Sequence, residues 1–296
     1  MIALIHCPKL SHPESAWGAG VDTCLMNMVD RPMLQHVLET LSDCGVRTLH
    51  VHLPGGNAQR EDLLGDGSRW GMSIRVWHGE GERPNMEAAM LEDLKESDGL
   101  IVGSGDSLPQ LQQLLDAKDR VVGIRNDGTL GEWIILPGYS GIRWVNQQTP
   151  TDMAKIATRQ ATLWLETNTP TALLESQSLL LRRHFSTVPL FGLEIKPGVW
   201  AARGAKIDST AVLEGPAYIG PFAMVGADCR IAAGAVIGEG SVVEAGTNVA
   251  RSCVASYTRV GRRLRLVDVI VVGNILHAVR FATRVALNDR VLASAV

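Results

Sequence analysis

The chain has 296 residues, of which 46% are hydrophobic and 20% charged, and its 31 acidic and 28 basic side chains give a formal net charge of −3. A chain of this length can bury a core in one large or two ordinary domains, and its nearly balanced charge argues against a protein that coats nucleic acid or binds an anionic membrane. The five cysteines form no CxxC pair, which favours free thiols in a reducing compartment over a disulfide framework or a zinc site. Because we find neither a signal peptide nor a long apolar run, we expect a cytoplasmic protein without a membrane span.

The first 150 residues alternate short apolar runs with helical patterns. The predicted strands are residues 2–6, 48–53, 73–77, 99–102 and 121–124, and the predicted helices are residues 33–41, 86–94 and 108–115. Strands that alternate with helices are typical of βαβ units. We therefore expect an α/β domain with a mostly parallel sheet over residues 1–150.

Two histidines lie on the same face of the predicted strand 48–53. His50 and His52 could bind a metal together, but no third ligand follows at a suitable spacing. We therefore interpret them as part of a polar surface.

Residues 151–198 are predicted to be a helical connector. Two helical patterns between residues 151 and 183 are separated by Asn168, Thr169 and Pro170. A residue that precedes proline is disfavoured in the α region, so we expect a helix to break at Thr169.

The last third of the chain, residues 199–296, contains a repeat of period six. Aliphatic residues occupy every sixth position at Ile207, Leu213, Ile219, Val225, Ile231, Ile237, Val243 and Val249. Small residues follow four positions after each of them, at Ala211, Ala217, Ala223, Cys229, Ala235, Ser241, Thr247 and Cys253. This period fits neither an amphipathic helix nor a plain hairpin, and it matches the hexapeptide repeat of left-handed parallel β-helices. Beyond residue 254 the register slips by one, and Val260, Leu266 and Val272 predict another partial coil.

Four short stretches of the chain resemble motifs of one known family. They are residues 30–39 (DRPMLQHVLE), 64–71 (LGDGSRWG), 102–106 (VGSGD) and 164–170 (WLETNTP). Their order, with the hexads after them, resembles the sugar-phosphate nucleotidylyltransferases, also called NDP-sugar pyrophosphorylases. The resemblance implies a nucleotidyltransferase-like, Rossmann-like first domain. It also implies a reaction in which a sugar 1-phosphate attacks the α-phosphorus of a nucleoside triphosphate and releases pyrophosphate.

The resemblance also implies a set of metal ligands. Both reactants are anions, so the family's reaction needs Mg²⁺, cationic side chains and backbone N–H donors around the phosphates. Asp106 matches the family's first metal-binding acid, and the preceding Gly105 belongs to the same motif. Glu166 stands where the family has its second acid, and a carboxylate one methylene longer can still bind Mg²⁺. A solvated acid at the end of a helix is the other interpretation of Glu166.

The N-terminal loop departs from the family pattern. The family places a glycine-rich loop with an arginine here, followed by a lysine near the reacting phosphates. In this chain Cys7, Pro8 and Lys9 follow the first strand, no glycine occurs before Gly18, and Thr23 stands in the position of the lysine. Glycine lets the backbone approach a phosphate closely, whereas proline removes an N–H donor. We keep Cys7, Pro8 and Lys9, together with the glycine before the first acid, as candidate nucleotide-binding residues, and we assign no catalytic residue.

Three functions remain open at this point. The missing glycines and lysines favour a weakly active protein or a regulatory pseudoenzyme of sugar-nucleotide and surface-polysaccharide metabolism. Such a protein would bind a nucleotide or sugar nucleotide and would associate with copies of itself or with a catalytic paralogue. The family resemblance by itself favours an active, Mg²⁺-dependent sugar-1-phosphate nucleotidylyltransferase. The third function is a hexapeptide acyltransferase, but that class generally uses a histidine on its coils, and none occurs between Ile207 and Val272.

Overall fold

The computed structural model describes residues 1–79, 83–95, 99–111, 121–124, 130–137, 158–160, 163–185, 188–288 and 292–296. These residues divide into two compact units. The first unit comprises Met1–Leu10, Asp22–Leu25 and Met33–Glu166, and the second comprises Ser11–Val21, Met26–Pro32 and Thr167–Val296. Two short N-terminal segments therefore belong to the unit that is formed mainly by the C-terminal half of the chain. Among the described helices, none has the length and apolar character needed to cross a membrane.

The elements up to residue 137 are, in chain order, β1 (Ile2–His6), β2 (Asn27–Met28), β3 (Arg31–Pro32), α1 (Met33–Asp43), β4 (Thr48–Leu53), α2 (Ala58–Leu64), β5 (Ser73–His78), α3 (Arg83–Lys95), β6 (Gly99–Ser104), β7 (Ser107–Pro109), β8 (Val121–Ile124) and β9 (Leu130–Pro137). A short 3₁₀ helix covers Ser68–Trp70. Next come β10 (Thr158–Gln160), β11 (Trp164–Glu166) and α4 (Pro170–Leu181).

The main sheet of the first unit has seven strands in the order β10-β8-β9-β6-β1-β4-β5. The β6, β1, β4 and β5 strands run parallel, whereas β9 is antiparallel to both of its neighbours. The central strands β1 and β4 are largely buried on both faces, as parallel strands covered by helices are, although β4 carries two histidines among its apolar residues. Helix α1 buries an apolar stripe that includes the fully buried Leu34, Val37 and Leu41. The mostly parallel α/β sheet predicted from the sequence is confirmed.

The strands of the second unit form a β-helix after α4. They are β12 (Leu193–Lys196), β13 (Val199–Ala201), β14 (Lys206–Ile207), β15 (Val212–Leu213), β16 (Ala217–Ile219), β17 (Met224–Val225), β18 (Arg230–Ile231), β19 (Ala235–Ile237), β20 (Val242–Val243), β21 (Asn248–Ala250), β22 (Cys253–Val254), β23 (Thr258–Val260), β24 (Arg265–Val267), β25 (Val269–Val272), β26 (Ile275–Ala278), β27 (Thr283–Ala286) and β28 (Ala293–Ala295). A 3₁₀ helix covers Val279–Phe281.

These strands build three sheets, which are the faces of the coils. The orders are β12-β13-β16-β19-β22-β25-β26-β27, then β14-β17-β20-β23-β28, then β15-β18-β21-β24. Successive coils pair in parallel, for example Val225 with Val243 and then Val260. The predicted aliphatic and small positions fill the interior: Ile237 and Val249 are fully buried, and Ser241 donates a 2.7 Å hydrogen bond to the carbonyl oxygen of Ala255 on the next coil. The hexapeptide β-helix predicted from the sequence is confirmed.

The last coil differs from the prediction by one position. Val260 and Leu266 point inward as predicted, but Val272 is 38% exposed and Val271 is 1% exposed. Each coil in this part of the chain is one residue shorter than three hexads, as the pairing of Val254 with Val271 shows. The prediction allowed a single slip, whereas the chain shortens its coils repeatedly.

Two predicted helices differ from the structure in the described residues. In the helix predicted over residues 108–115, the first two residues belong to β7, residue 111 is helical, and residues 112–115 lie outside the described part of the chain. In the first helix predicted in the connector, the residues that the structure describes belong to β10 and β11, and the second predicted helix forms as α4. Because β11 pairs antiparallel with β7, a contact between distant segments overrides the local helical pattern.

Candidate functional site

The candidate site lies at the carboxyl ends of the parallel strands in the first unit. The chain runs from β1 to β4 and β5 on one side and then returns to place β6 on the other side of β1. In open parallel sheets, ligands bind outside the carboxyl ends at such a reversal of strand order. His6 and Ser104 end β1 and β6, and they lie in register with His52, the residue before the last of β4. The topology therefore predicts that a ligand would bind near the residues that follow β1 and β6.

Asp106 directly follows β6 and is held by two hydroxyl groups. Ser104 Oγ donates a 2.6 Å hydrogen bond to Oδ1 of Asp106, and Thr23 Oγ1 donates one of 2.9 Å to Oδ2. Asp106 is only 7% exposed, and both hydroxyl-bearing residues are also buried. Thr23 thus directs its hydroxyl group at the carboxylate that is predicted to bind metal.

The candidate residues Cys7 and Gly105 form a tightly packed cluster with Cys24. Both thiols are fully buried, and a Cβ on Gly105 would lie 2.8 Å from the sulfur of Cys7 and 3.0 Å from that of Cys24. The backbone N–H of Gly105 donates to the carbonyl oxygen of His6 at 2.9 Å. A hydrogen bond with Cys7, reinforced by burial, raises the pKa of Cys24 well above its ordinary value. The packing of the two thiols accounts for Gly105, and its N–H is already bonded to the protein.

The other loop candidates, Pro8 and Lys9, are placed differently from each other. The carbonyl oxygen of Pro8 accepts a 2.8 Å hydrogen bond from Nη1 of Arg60. Lys9 is exposed and makes no ion pair within the described residues. Of the predicted loop residues, only Lys9 offers a cationic group to a ligand.

Arg60 and Asp22 form a buried ion pair that the sequence did not reveal. Arg60 is 2% exposed, and its Nε and Nη2 donate to the two carboxylate oxygens of Asp22 at 2.7 and 2.6 Å. The same carboxylate accepts from Asn57 Nδ2 at 2.7 Å and from the backbone N–H of Cys24 at 3.1 Å. The cation beneath this loop is therefore neutralised by protein groups. Its place in a run of charged residues at the start of α2 resembles an ordinary exposed helix face, so no sequence signal distinguished it.

Glu166 lies at the end of β11 and is opposite Ser107 in the antiparallel pair of β11 with β7. Asp106, in the turn that directly precedes Ser107, is therefore the sequence neighbour of the residue that pairs with Glu166. Two carboxylates suit a Mg²⁺ ion that takes its remaining ligands from water and substrate phosphates. No group of three or more His, Cys, Asp or Glu side chains suited to a metal occurs within the described residues. These two carboxylates therefore fit a Mg²⁺ ion that is also bound by the phosphate oxygens of a substrate.

The same edge of the sheet carries a histidine pair that sequence reasoning missed. Nδ1 of His6 and Nδ1 of His52 are 2.9 Å apart, and the ring centroids are 4.9 Å apart. One ring must donate and the other accept, so the pair holds a proton between them. His6 is exposed at this edge, and its position as the last residue of a parallel strand was the available signal.

The interpretation of His50 and His52 as a polar surface is wrong, because both are buried. His50 accepts a 3.2 Å hydrogen bond from the indole N–H of Trp77 at Nδ1, and its Nε2 lies 2.9 Å from Oδ2 of Asp93. The first contact requires an unprotonated Nδ1, so Nε2 carries the proton and donates to Asp93. Burial lowers the pKa of His50, which keeps this ring neutral.

Comparison with known proteins supports both halves of the sequence interpretation. The family model "Bacterial transferase hexapeptide (six repeats)" matches residues 216–251. The chain is also similar to a UTP–glucose-1-phosphate uridylyltransferase from Synechocystis sp., with 30% identity over 95 residues, which are 32% of this chain and 24% of that protein. The match thus spans about a quarter of the length of this curated relative. The predicted resemblance to the sugar-phosphate nucleotidylyltransferases and the predicted hexapeptide repeat are confirmed.

Among solved structures, the chain is similar to a protein from Bacillus anthracis described as a glucose-1-phosphate thymidylyltransferase in complex with sucrose. The TM-score is 0.43 at 12% identity, and the similarity covers 60% of this chain and 95% of that one.

Proposed function

We propose that this chain is a nucleotidyltransferase-like protein of sugar-nucleotide metabolism that is weakly active or acts as a regulatory pseudoenzyme. The observation that carries the proposal is the arrangement of Asp106, whose two carboxylate oxygens accept hydrogen bonds from Ser104 and Thr23. In this arrangement an uncharged hydroxyl stands where the related enzymes have a lysine. Its ligand is a nucleotide or a sugar nucleotide, and surface-polysaccharide precursor synthesis is its metabolic setting.

The charges around the loop support this proposal. Nucleotidyl transfer brings two anionic reactants together, so its transition state is stabilised by cations and N–H donors aimed at the phosphates. Here Arg60 is neutralised by Asp22, the N–H of Gly105 is bonded to His6, and Pro8 has no N–H. Losing a single such donor typically costs about 10²–10³ in rate, so losing several reduces transfer to a small residual level.

Magnesium has a defined place in this proposal. Asp106 and Glu166 would hold it, and the ion would neutralise phosphate charge and orient the phosphate oxygens. The residues of this chain then have positioning roles: Thr23 and Ser104 fix the rotamer of Asp106 through their hydroxyl groups.

An active Mg²⁺-dependent sugar-1-phosphate nucleotidylyltransferase is the second candidate, and it is supported by the pairing of Glu166 with Ser107, the residue that follows Asp106. A hexapeptide acyltransferase is disfavoured by His277, the histidine that follows the coils. This side chain is buried against Trp17, with ring centroids 5.0 Å apart, and burial lowers its pKa. If the chain is regulatory, we expect it to act by associating with copies of itself or with a catalytic paralogue.

A pyrophosphate-release assay tests the proposal. The purified chain is given Mg²⁺, the common nucleoside triphosphates and a panel of sugar 1-phosphates, and calorimetry measures binding of the corresponding sugar nucleotides. We expect these ligands to bind without appreciable turnover. Asp106→Asn should change the binding affinity, whereas Asp208→Asn, a substitution of an exposed acid on the β-helix, should not.

Steady turnover that Asp106→Asn abolishes and Asp208→Asn preserves would establish the active enzyme instead. Failure to bind any of these nucleotides or sugar nucleotides would remove the assigned ligand class.

A further inference from the structure

A groove in the second unit has its own charged lining. It is bordered by α4, by corners of the β-helix coils and by the 3₁₀ helix Val279–Phe281, and it has a volume of about 660 Å³. This volume lies in the range of pockets that hold small organic ligands. The lining residues that matter are Glu175, Ser178, Arg182, Arg251, Asp268 and Arg280.

One wall of the groove is preorganised by an ion pair between neighbouring coils. Arg251 and Asp268 both occupy corners with positive φ, at 44° and 56°. Nε and Nη2 of Arg251 donate to the two carboxylate oxygens of Asp268 at 2.7 and 2.9 Å. This pairing lowers the pKa of Asp268, so its carboxylate stays ionised and holds the guanidinium group in a fixed orientation.

Two further arginines add positive charge to the groove, and Arg280 is near enough to Asp268 to help lower the pKa of that carboxyl. Arg182 is the C-cap residue that follows α4, Arg280 lies in the 3₁₀ helix Val279–Phe281, and both are exposed. Neither forms an ion pair within the part of the chain that the structure describes. Glu175 is the remaining acid of the lining, so the groove keeps an excess of positive charge.

The combination of groups defines the ligand. Planar guanidinium groups match the paired oxygens of a phosphate, and two of them suit a dianion. The carboxylate of Glu175 and the hydroxyl of Ser178 can bond hydroxyl groups of a sugar, whereas Glu175 would repel a purely anionic ligand such as a triphosphate. Leu174 and Val279 add apolar surface against which a sugar ring can pack.

We propose that this groove is a binding site for a hexose phosphate, separate from the nucleotide site of the first unit. Arg182 and Arg280 bind the phosphate, and Glu175 and Ser178 bind the sugar hydroxyls.

Titration calorimetry on the full chain tests the site with glucose 6-phosphate, fructose 6-phosphate and glucose 1-phosphate. We expect Arg182→Gln and Arg280→Gln each to weaken binding about 10- to 100-fold, since each removes a charge-assisted hydrogen bond. Arg265→Gln, at an exposed arginine on the coils outside this groove, should leave the affinity unchanged. Far-UV circular dichroism confirms that each variant is folded, and Arg280→Lys, which keeps the charge, should lose less affinity than Arg280→Gln.

The outcomes separate this site from the proposed nucleotide site. Asp106→Asn should leave glucose 6-phosphate binding intact, so a failure of the nucleotidyltransferase proposal does not affect it. Unchanged affinity in both arginine variants, or no binding of any of the three hexose phosphates at millimolar concentration, would overturn the proposal. Equal affinity for glucose would refute the phosphate contacts, and equal affinity for inorganic phosphate would refute the sugar contacts.

Discussion

The guanidinium group of Arg60 is a buried charge whose compensation comes from one carboxylate. Its hydrogen bonds to Asp22 measure 2.6 and 2.7 Å, and Pro8 contributes a carbonyl oxygen at 2.8 Å. Moving a charge out of water costs several kcal/mol, and removing one partner of a buried pair leaves that cost uncompensated. The pair therefore acts as a structural element beneath the N-terminal loop.

Asp22→Asn should lower the free energy of unfolding by about 3 kcal/mol, because Arg60 loses its countercharge while remaining buried. Urea unfolding followed by circular dichroism measures the change. The control is Glu214→Gln, which breaks an exposed ion pair with Arg230. The side chain of Glu214 is 44% exposed and that of Arg230 is 55% exposed. That exposed pair should contribute less than about 1 kcal/mol. A loss no larger in Asp22→Asn than in the control would show that Arg60 is solvated in solution.

The central strand β6 is fixed in place by a close approach between two strands. A Cβ on Gly103 would lie 2.6 Å from ring carbons of Trp133 on β9. Trp133 is fully buried, and its indole N–H donates to Ser107 Oγ at 3.1 Å, so the ring cannot swing aside without breaking that bond. Position 103 therefore requires glycine, because the ring of Trp133 lies directly against the backbone of β6 there.

Gly103→Ala should reduce the free energy of unfolding by about 1–3 kcal/mol through overpacking. Gly55→Ala is the matched control, because a Cβ there meets no atom within 4 Å. Thermal unfolding of both variants against the parent chain measures the difference. If Gly103→Ala is as stable as Gly55→Ala, then β9 does not hold Trp133 against β6.

The sequence predicts the elements whose residues repeat a local pattern and fails where distant segments decide. The hexads place Ile237 and Val249 in the interior correctly, because each coil repeats the same inward position. The strand β11 was missed, since its pairing with β7 across a long stretch of chain is what keeps it extended. In the candidate site, Asp106 was found through its motif, whereas its contact with Thr23 depends on the tertiary fold and no spacing rule predicts it.

The two compact units are not consecutive pieces of the chain. Segments Ser11–Val21 and Met26–Pro32 belong to the second unit, although residues on either side of them belong to the first. In the second segment, Asn27 Nδ2 donates to Ser256 Oγ at 2.9 Å and Arg31 Nη2 donates to the carbonyl oxygen of Pro189 at 3.1 Å. The N-terminal segments thus contribute to the stability of a unit that is formed mostly by residues beyond 166.

Trp17 provides the sharpest test of this interleaving, because it is fully buried within the second unit. Its indole N–H donates to the carbonyl oxygen of Thr167 at 2.8 Å, and its ring packs edge-on against His277. Trp17→Ala should therefore destabilise the second unit by about 3–5 kcal/mol. Hydrogen exchange followed by mass spectrometry should show faster exchange in peptides around β25 and β26 and unchanged exchange in β4. Trp70→Ala, a buried tryptophan of the first unit, should produce the opposite distribution, and faster exchange confined to the first unit in Trp17→Ala would contradict the assignment of this segment.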